Sequence, residues 1–189
     1  IMPIWSPAMI FGSATSGYVV ENSIYLDGSA DYLTFTPFTA GNRRTHTISY
    51  WVKRNTFDGV GHTVIGAGSS VSGDDGEFIH KFDNNSPVEA IGLQTGATTL
   101  RRTSGVFRDP TGWFNVVISN NTTIADGSAN NRHRVWVNGS EASFGTTANV
   151  TQNQELAFMN NVVHEIGRFP RITGQYGEMC LAEFILLDG

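Results

Sequence analysis

The sequence predicts an all-β fold, a two-sheet antiparallel β-sandwich of the jelly-roll type. Short apolar runs of roughly four to nine residues recur between turn residues, and no longer stretch has helical periodicity. Charged residues are only 15% of the chain, and its polar residues are mostly Asn, Thr, Ser and Gly, which is typical of turns and exposed strands. A length of 189 residues suits a single sandwich domain.

Twelve strands are predicted from these runs, and so many strands in one domain favour two packed sheets over one open sheet. The Asn138-Gly139 pair predicts a tight hairpin, because both residue types accept positive φ. The last strand is apolar on both faces, which indicates a position inside a sheet or beneath a covering segment. The predicted strands are Ser23–Leu26, Tyr32–Phe35, Thr45–Lys53, His62–Gly66, Glu77–Phe82, Ala90–Gln94, Thr98–Ser104, Trp113–Ser119, His133–Asn138, Ala157–Met159, His164–Arg168 and Gly177–Leu187.

Charge and cysteine content exclude several classes of function. The net charge of −5 and the scattered arginines argue against nucleic-acid binding, which needs a clustered basic surface. No apolar run is long enough for a membrane-spanning helix, so we expect no membrane insertion. The apolar N-terminus lacks the basic region of a signal peptide. Cys180 is the single cysteine, which rules out a disulfide within the chain and a cysteine metal cluster.

Residues 1–17 are predicted to form an apolar arm ahead of a domain spanning residues 18–189. Pro3 and Pro7 prevent a regular inner strand there, yet an apolar arm is unfavourable in water. We therefore expect it to cover an apolar surface, either on a neighbouring subunit or along the edge of its own domain. Its apolar residues are Ile1, Met2, Ile4, Trp5, Met9, Ile10 and Phe11.

Six stretches, in order along the predicted domain, carry a family resemblance. They are Ser23–Gly28 with Asp31–Leu33, His46–Lys53, Trp113–Val117, Val135–Gly139, Ile166–Arg168 and Gly177–Phe184. Together they resemble the laminin-G/pentraxin/concanavalin A-like lectin superfamily. The resemblance implies the same jelly-roll fold and a lectin-like domain.

Two further stretches point to a narrower group. Ala40–Arg44 ahead of Trp51–Arg54, and Arg108–Pro110 ahead of Trp113, are similar to segments of domains encoded by tailed phages, especially marine ones. This resemblance implies a virion surface protein (a fibre, tail or head-decoration component) with copies of itself and other virion proteins as partners. A secreted or cell-surface location is the alternative.

The chain departs from the resemblance at two places. Asn115 stands where the broad family often has His. The sequence stops at Gly189, where relatives usually continue.

No catalytic residues are predicted, and we expect no enzyme. Glycoside hydrolases on this fold place two carboxylates across one sugar, and the strand-borne Glu-x-Asp-x-x-Glu pattern that the resemblance implies for them is absent. Glu77 and Asp83 would lie roughly 20 Å apart on an extended strand. Glu178 and Glu183 differ in strand parity, which predicts opposite directions for their side chains.

Calcium is the one cofactor that the sequence suggests, because lectin-like jelly rolls often hold it with loop carboxylates and carbonyls. The densest acidic loop contains Asp74, Asp75 and Glu77, and the next contains Asp27 and Asp31. An acidic turn with glycine is also simply a turn. No cofactor therefore stays the leading expectation.

Sugar binding needs an exposed aromatic platform with hydrogen-bonding neighbours. The candidates are two aromatic residues in the turn-rich run before the last strand and one arginine pair: Phe169, Tyr176, Arg101 and Arg102. Trp51, Trp113 and Trp136 belong to predicted strands, which favours core packing for all three.

Three functions remain after these steps. The leading hypothesis is a non-catalytic virion structural protein that self-assembles and contacts host glycans. The alternative is a receptor-binding lectin module, and a glycoside hydrolase is a distant third.

Overall fold

The computed structural model describes residues 22–68, 78–83, 89–95, 98–170 and 175–189. Among them lie thirteen strands and one short 3₁₀ helix, Asp126–Arg132. The strands are β1 (Ile24–Asp27), β2 (Leu33–Phe35), β3 (Thr45–Arg54), β4 (His62–Ala67), β5 (Phe78–Phe82), β6 (Ile91–Thr95), β7 (Thr98–Thr103), β8 (Phe114–Asn121), β9 (His133–Val137), β10 (Ser140–Glu141), β11 (Phe144–Thr147), β12 (His164–Ile166) and β13 (Glu178–Asp188).

The strands form two antiparallel sheets, which confirms the predicted jelly-roll sandwich. The six-stranded sheet has the order β1-β13-β3-β8-β9-β10, and the seven-stranded sheet has the order β11-β7-β6-β5-β4-β12-β2. β1 and β2 are therefore edge strands, one in each sheet, and β10 and β11 form the opposite edges. β3 and β8 occupy the middle of the six-stranded sheet and determine which of its side chains face the core.

The core lies between the two sheets and follows the strand period of two. In β8, Phe114, Val116 and Ile118 are buried while the residues between them are half-buried, as the alternation predicts. β3 alternates in the same way, with Tyr50 and Val52 fully buried on the inward side. The inward positions of both strands contact the seven-stranded sheet across one apolar core.

The outer face of the seven-stranded sheet is covered by the chain itself, and we call it the covered face. All six residues of β4 are buried, although only alternate ones can point to the core. Gly66 shows the reason at one position, because a Cβ atom there would approach Phe169 and Pro170 to within 3 Å. Strands buried on both sides explain why the apolar alternation of this sheet is weak in the sequence.

The structure departs from the predicted strands in places and confirms the predicted hairpin. The run Ala157–Met159 is a turn rather than a strand, with Ala157 and Phe158 buried and Met159 at a φ of 66°. The predicted hairpin is confirmed, since Asn138 and Gly139 have φ values of 49° and 78° and connect β9 to β10. β13 contains a bulge at Glu183, where φ is 49° and the pairing with β3 shifts register.

The predicted arm, residues 1–17, lies outside the described residues. The acidic loop with Asp74, Asp75 and Glu77 lies outside them as well.

Candidate functional site

All three tryptophans of the described residues lie on the outer face of the six-stranded sheet. Trp51 follows the inward Tyr50 on β3, and Trp136 follows the inward Val135 on β9. Trp113 directly precedes β8 and is 39% exposed, while Trp51 and Trp136 are half-buried. We call this surface the tryptophan face, and it consists of the outward side chains of β13, β3, β8 and β9.

The predicted core packing of the tryptophans is therefore wrong. The reason is strand parity, which assigns the inward positions to their immediate neighbours. Around Trp51 the sequence reads Tyr50-Trp51-Val52, so three successive large apolar residues hide the alternation. The parity is readable only from the flanking positions, where Ser49 and Lys53 share the half-buried outer side with Trp51.

The strand register arranges the tryptophan face as a diagonal apolar stripe. Trp51 on β3 pairs with Asn115 on β8. Val117, two residues further along β8, pairs with Trp136 on β9. Directly opposite and diagonal neighbours on one sheet face are within reach of large side chains. The stripe of Trp51, Val117 and Trp136 therefore crosses three strands without interruption by a charge.

β13 continues the apolar surface beyond β3. Ile185 pairs with Ser49 and Leu187 pairs with Thr47, so both aliphatic side chains point to the outer face. They are 47% and 55% exposed. Scattered exposed aliphatic residues are ordinary, but a contiguous exposed patch of this kind indicates an interaction surface.

Hydrogen-bonding groups border the stripe on its β9 and β10 side. Arg134 donates to Glu141 through Nε at 2.7 Å, and its guanidinium carbon lies 4.7 Å from the centroid of the Trp136 ring. The hydrogen bond from Arg134 lowers the pKa of the Glu141 carboxyl, so the pair stays ionised at neutral pH. Both side chains are exposed and present a donor and an acceptor beside an aromatic ring.

Asn115 provides a second polar group, next to Trp51. Its Nδ2 donates to the carbonyl oxygen of Tyr50 at 3.2 Å and lies 3.5 Å from Ser49 Oγ. The side chain is half-buried, and its amide is held in position beside the Trp51 ring. The tryptophan face thus combines flat aromatic surface with fixed hydrogen-bonding groups.

Of the predicted glycan-binding residues, only Tyr176 lies at the surface. Arg168 places its guanidinium carbon 3.7 Å from the Tyr32 ring centroid and 5.9 Å from that of Tyr176. Glu165 accepts hydrogen bonds from the same guanidinium, which fixes its orientation. This cluster joins two loops at one end of the sandwich. Phe169 does not belong to it, because its side chain is fully buried over Gly66, and the expected exposure is wrong.

The arginine pair is also buried, contrary to the expected exposure. Arg102 donates to the Asp83 carboxylate at 2.8 Å on the covered face. Arg101 donates to Asn149 at 2.9 Å, and its guanidinium carbon lies 4.0 Å from the Phe144 ring centroid. The two charged groups are 9% and 5% exposed, respectively, and stabilise the sheet through these internal contacts.

Of the acidic residues proposed for calcium, only Asp27 and Asp31 lie among the described residues. The carboxylate of Asp27 accepts hydrogen bonds from the backbone N–H and the hydroxyl of Ser29, at 2.8 and 2.6 Å, and from the backbone N–H of Ala30. These bonds hold the pKa of Asp27 well below its usual range and engage both of its oxygens in the turn itself. Asp31 is exposed at the end of the same turn. Within the described part of the chain, no group of three or more His, Cys, Asp or Glu residues is placed to hold a metal ion.

Four buried histidines form a feature of the core that sequence spacing did not reveal. The Asn120 amide lies 2.9 Å from His46 Nε2 and 2.5 Å from His133 Nδ1. His80 and His164 complete the group, and both pack against the Phe158 ring. Burial lowers the pKa of His46 to about 4 and that of His80 to about 3, so both are neutral at pH 7. They come from different strands far apart in the chain, and only the fold brings them together.

Comparison with known proteins identifies similar folds rather than a family. A scan of protein-family models finds no match, and a search of curated proteins finds none either. Among solved structures, the native heptameric SAP-like pentraxin from Limulus polyphemus is similar with a TM-score of 0.62 and 16% identity, covering 87% of this chain and 74% of that one.

Two other solved structures are similar over most of this chain. Domains LG4-5 of the mouse laminin alpha1 chain give a TM-score of 0.55 at 11% identity and cover 89% of this chain and 41% of theirs. The Botulinum neurotoxin serotype D binding domain gives 0.54 at 14% identity, with coverage of 88% and 39%. This chain therefore spans less than half the length of these two.

These likenesses show the fold alone, which is the jelly roll that the sequence resemblance implies. Nothing in them links the chain to a phage. No helix among the described residues has the length and apolar character needed to cross a membrane. The chain is a jelly-roll sandwich similar to pentraxin and laminin-G domains.

Proposed function

We propose that this domain is a non-catalytic carbohydrate-binding module and that the tryptophan face is its binding surface. The main support for this proposal is that Trp51, Trp113 and Trp136 all lie on one solvent-facing sheet face. Tryptophan offers the largest apolar surface of any side chain, and leaving it in contact with water forgoes that stabilisation. Three such residues on one face indicate a surface that is covered when a ligand binds.

Carbohydrate fits this surface for a chemical reason. The C–H faces of sugar rings are apolar and stack on flat aromatic rings, while their hydroxyls need donors and acceptors at the rim. Trp51 and Trp136 supply the aromatic surface, and Asn115 and the Arg134–Glu141 pair supply the rim. An open sheet face suits an extended or surface-attached glycan better than a small molecule, which binds in concave pockets.

The buried carboxylates support a non-catalytic role. Glycosidases need two carboxyl groups that face one sugar. Asp83, Glu89 and Glu165 are each paired with an arginine inside the protein, as in the 2.7 Å contact between Arg54 and Glu89. We expect no cleavage of any oligosaccharide that the domain binds.

A second candidate function is self-association in a structural assembly. The observation that favours it is the exposed pair Ile185 and Leu187, because aliphatic side chains suit a protein partner better than a sugar. The similar pentraxin from Limulus polyphemus is heptameric, so this fold is compatible with self-association. Location on a virion, with other virion proteins as partners, is a further proposal that depends on the sequence resemblance alone.

A glycan array followed by calorimetry tests the proposal. The wild-type domain is expected to give reproducible hits, and Trp51→Ala and Trp136→Ala are each expected to weaken binding at least tenfold. Phe38→Ala is the matched control, because Phe38 is an aromatic residue that is 98% exposed on a loop outside the face. The Asn161 amide donates to the backbone carbonyl of Phe38, so removing the ring leaves that loop anchored.

Two outcomes would contradict carbohydrate binding. One is an array without reproducible hits. The other is equal loss of affinity in the Phe38→Ala control. Native mass measurement separates the second candidate, since a stable multimer that Ile185→Lys dissociates would support self-association through this face.

A further inference from the structure

β13 has an open edge that a further strand would fit. The strand is 11 residues long, but β1 pairs with it only from Glu178 to Leu181. From Ala182 to Asp188 its opposite side pairs with β3, and no other described strand lies along the free side. An edge of this length, with apolar residues on both faces, is a site for added strands or for aggregation unless it is covered.

An apolar groove lies beside this open edge. It has a volume of about 230 Å³ and opens to the surface between the edge strands β1 and β2. Its apolar lining includes Ile24, Leu33, Ile166, Leu181 and Phe184. Ile24 and Leu33 are 38% and 49% exposed, so the groove leaves large side chains in contact with water.

The described chain begins at the mouth of this groove. Asn22 and Ser23, which directly precede β1, are part of its lining. Twenty-one residues precede Asn22, and the nearest of them read Tyr18-Val19-Val20-Glu21. Tyr and Val are among the residues that fit β-strands best.

The register of β1 assigns these residues to the open edge. Ile24 pairs with Leu181 in an antiparallel ladder, so each step back along β1 is a step forward along β13. Continuing the ladder brings Val20 opposite Ile185, or opposite Leu186 if the extension follows the bulge. In the second of these registers Val20 lies opposite Leu186, which pairs with the buried Ile48, so Val20 shares the inward side with Ile24 and points into the groove. In the first register it would share the outer face with Ile185.

We propose that the open edge of β13 is a strand-docking site and that its occupant is the segment Tyr18–Glu21 of the same chain, as a continuation of β1. Six residues at about 3.4 Å each suffice to reach from Leu181 to Leu187. The extension would fill the groove with apolar side chains and satisfy the free backbone groups of β13. It would also place the apolar residues before Tyr18 at the edge of the tryptophan face.

Engineered disulfides in the full chain test the occupant, with Cys180→Ser as background. Two pairs cover the two registers: Val20→Cys with Ile185→Cys, and Val20→Cys with Leu186→Cys. At least one is expected to form a disulfide within a single chain at low protein concentration, because paired strand residues have the required Cα separation. Val20→Cys with Val60→Cys is the control, since Val60 is 51% exposed on another loop.

The pattern of cross-links decides the proposal. Intrachain cross-linking of a β13 pair without the control pair supports it. Cross-linking only between chains would overturn it in favour of a second copy as occupant, and the absence of any cross-link would overturn the docking site.

Amide hydrogen exchange gives an independent test. In the full chain, Val20→Pro removes a backbone donor and is expected to accelerate exchange at least tenfold for the β13 amides that face the open edge. The matched control is Ser16→Pro, which lies beyond the end of the proposed pairing. Slow exchange in β8 reports that each variant is folded, and unchanged exchange in β13 of a folded Val20→Pro variant would overturn the proposal. Carbohydrate binding is measured separately, so failure of this proposal and failure of the proposed function are distinguishable.

Discussion

The two outer faces of the sandwich differ in what covers them. On the covered face, Lys81 and Arg102 pair with Gly92 from either side, and the Asp83 carboxylate bonds Arg102 between them. These charged groups are almost completely buried. On the tryptophan face, by contrast, large apolar groups are left in contact with water.

Charged groups are buried on one face and apolar groups are exposed on the other. This difference indicates that the covered face stabilises the fold and that the tryptophan face is available to bind a ligand. Removing one partner from a buried charge network is strongly destabilising, so the side chains of the covered face are needed for stability. The tryptophan face contributes half-buried rings that the core does not need. Substitutions on the first face should therefore cost stability, and substitutions on the second should cost binding.

Acid is expected to give the largest effect, because both sheets contribute histidines to one core. His46 belongs to the six-stranded sheet and His80 to the seven-stranded sheet, with pKa values of about 4 and about 3. The unfolded chain binds protons near pH 6.5 and the native state does not, so stability is full above that pH and falls below it. The loss by pH 3 is on the order of 8 kcal/mol for the pair, since one unit of pKa shift corresponds to about 1.4 kcal/mol.

Denaturant unfolding at several pH values measures this loss. His80→Phe removes one titrating group and should flatten the pH dependence. If stability stays constant from pH 7 to pH 4, the histidines do not occupy a dry core.

Asp83→Ala is expected to give the next largest effect. It leaves Lys81 and Arg102 buried without their shared carboxylate, which costs about 3–5 kcal/mol of unfolding free energy. Glu141→Ala is the matched control on the tryptophan face, where the partner Arg134 is exposed and solvent screens the pair, so it should cost much less than Asp83→Ala. Equal losses in the two variants would remove the distinction between the faces.

Gly66→Ala tests the covering segment directly. The added methyl would clash with Phe169 and Pro170, and overpacking of this kind costs about 1–3 kcal/mol. Gly127→Ala is the control, since a Cβ atom there has no neighbour within 4 Å. Thermal unfolding compares the two, and a neutral Gly66→Ala would mean that the covering segment moves away freely.

Trp51→Ala is expected to have the smallest effect on stability, less than about 1.5 kcal/mol, because the ring lies outside the core. Val52→Ala, one residue further along β3, removes a fully buried side chain and should cost more than Trp51→Ala does. A cost of about 3–5 kcal/mol for Trp51→Ala would show that the ring is packed in the core and would contradict its assignment to the outer face.

The sequence predicted the sandwich well, because strand formation depends on local residue types. The hairpin at Asn138-Gly139 and the inward face of β8 follow from turn chemistry and a period of two. The run Ala157–Met159 was predicted as a strand because its residues are apolar, but these residues form a turn.

The site was harder to predict, because exposure depends on what lies over a strand. Arg101 and Arg102 have the composition of a surface pair, yet the fold buries both. Trp51 has the composition of a core residue, yet its parity directs it outward. The burial of the arginines and the outward direction of Trp51 can be predicted only when the sheet order and the covering segments are known.

The most direct test of the tryptophan face is an NMR titration that follows both the indole N–H and the backbone N–H signals while a glycan identified on the array is added. We predict progressive shifts of the Trp51 and Trp136 indole signals, assigned by single Trp→Phe variants, with little change in the loop that contains Phe38. Shifts confined to residues outside the tryptophan face, such as Tyr32 and Tyr176, would contradict the account and place the binding site at the end of the sandwich.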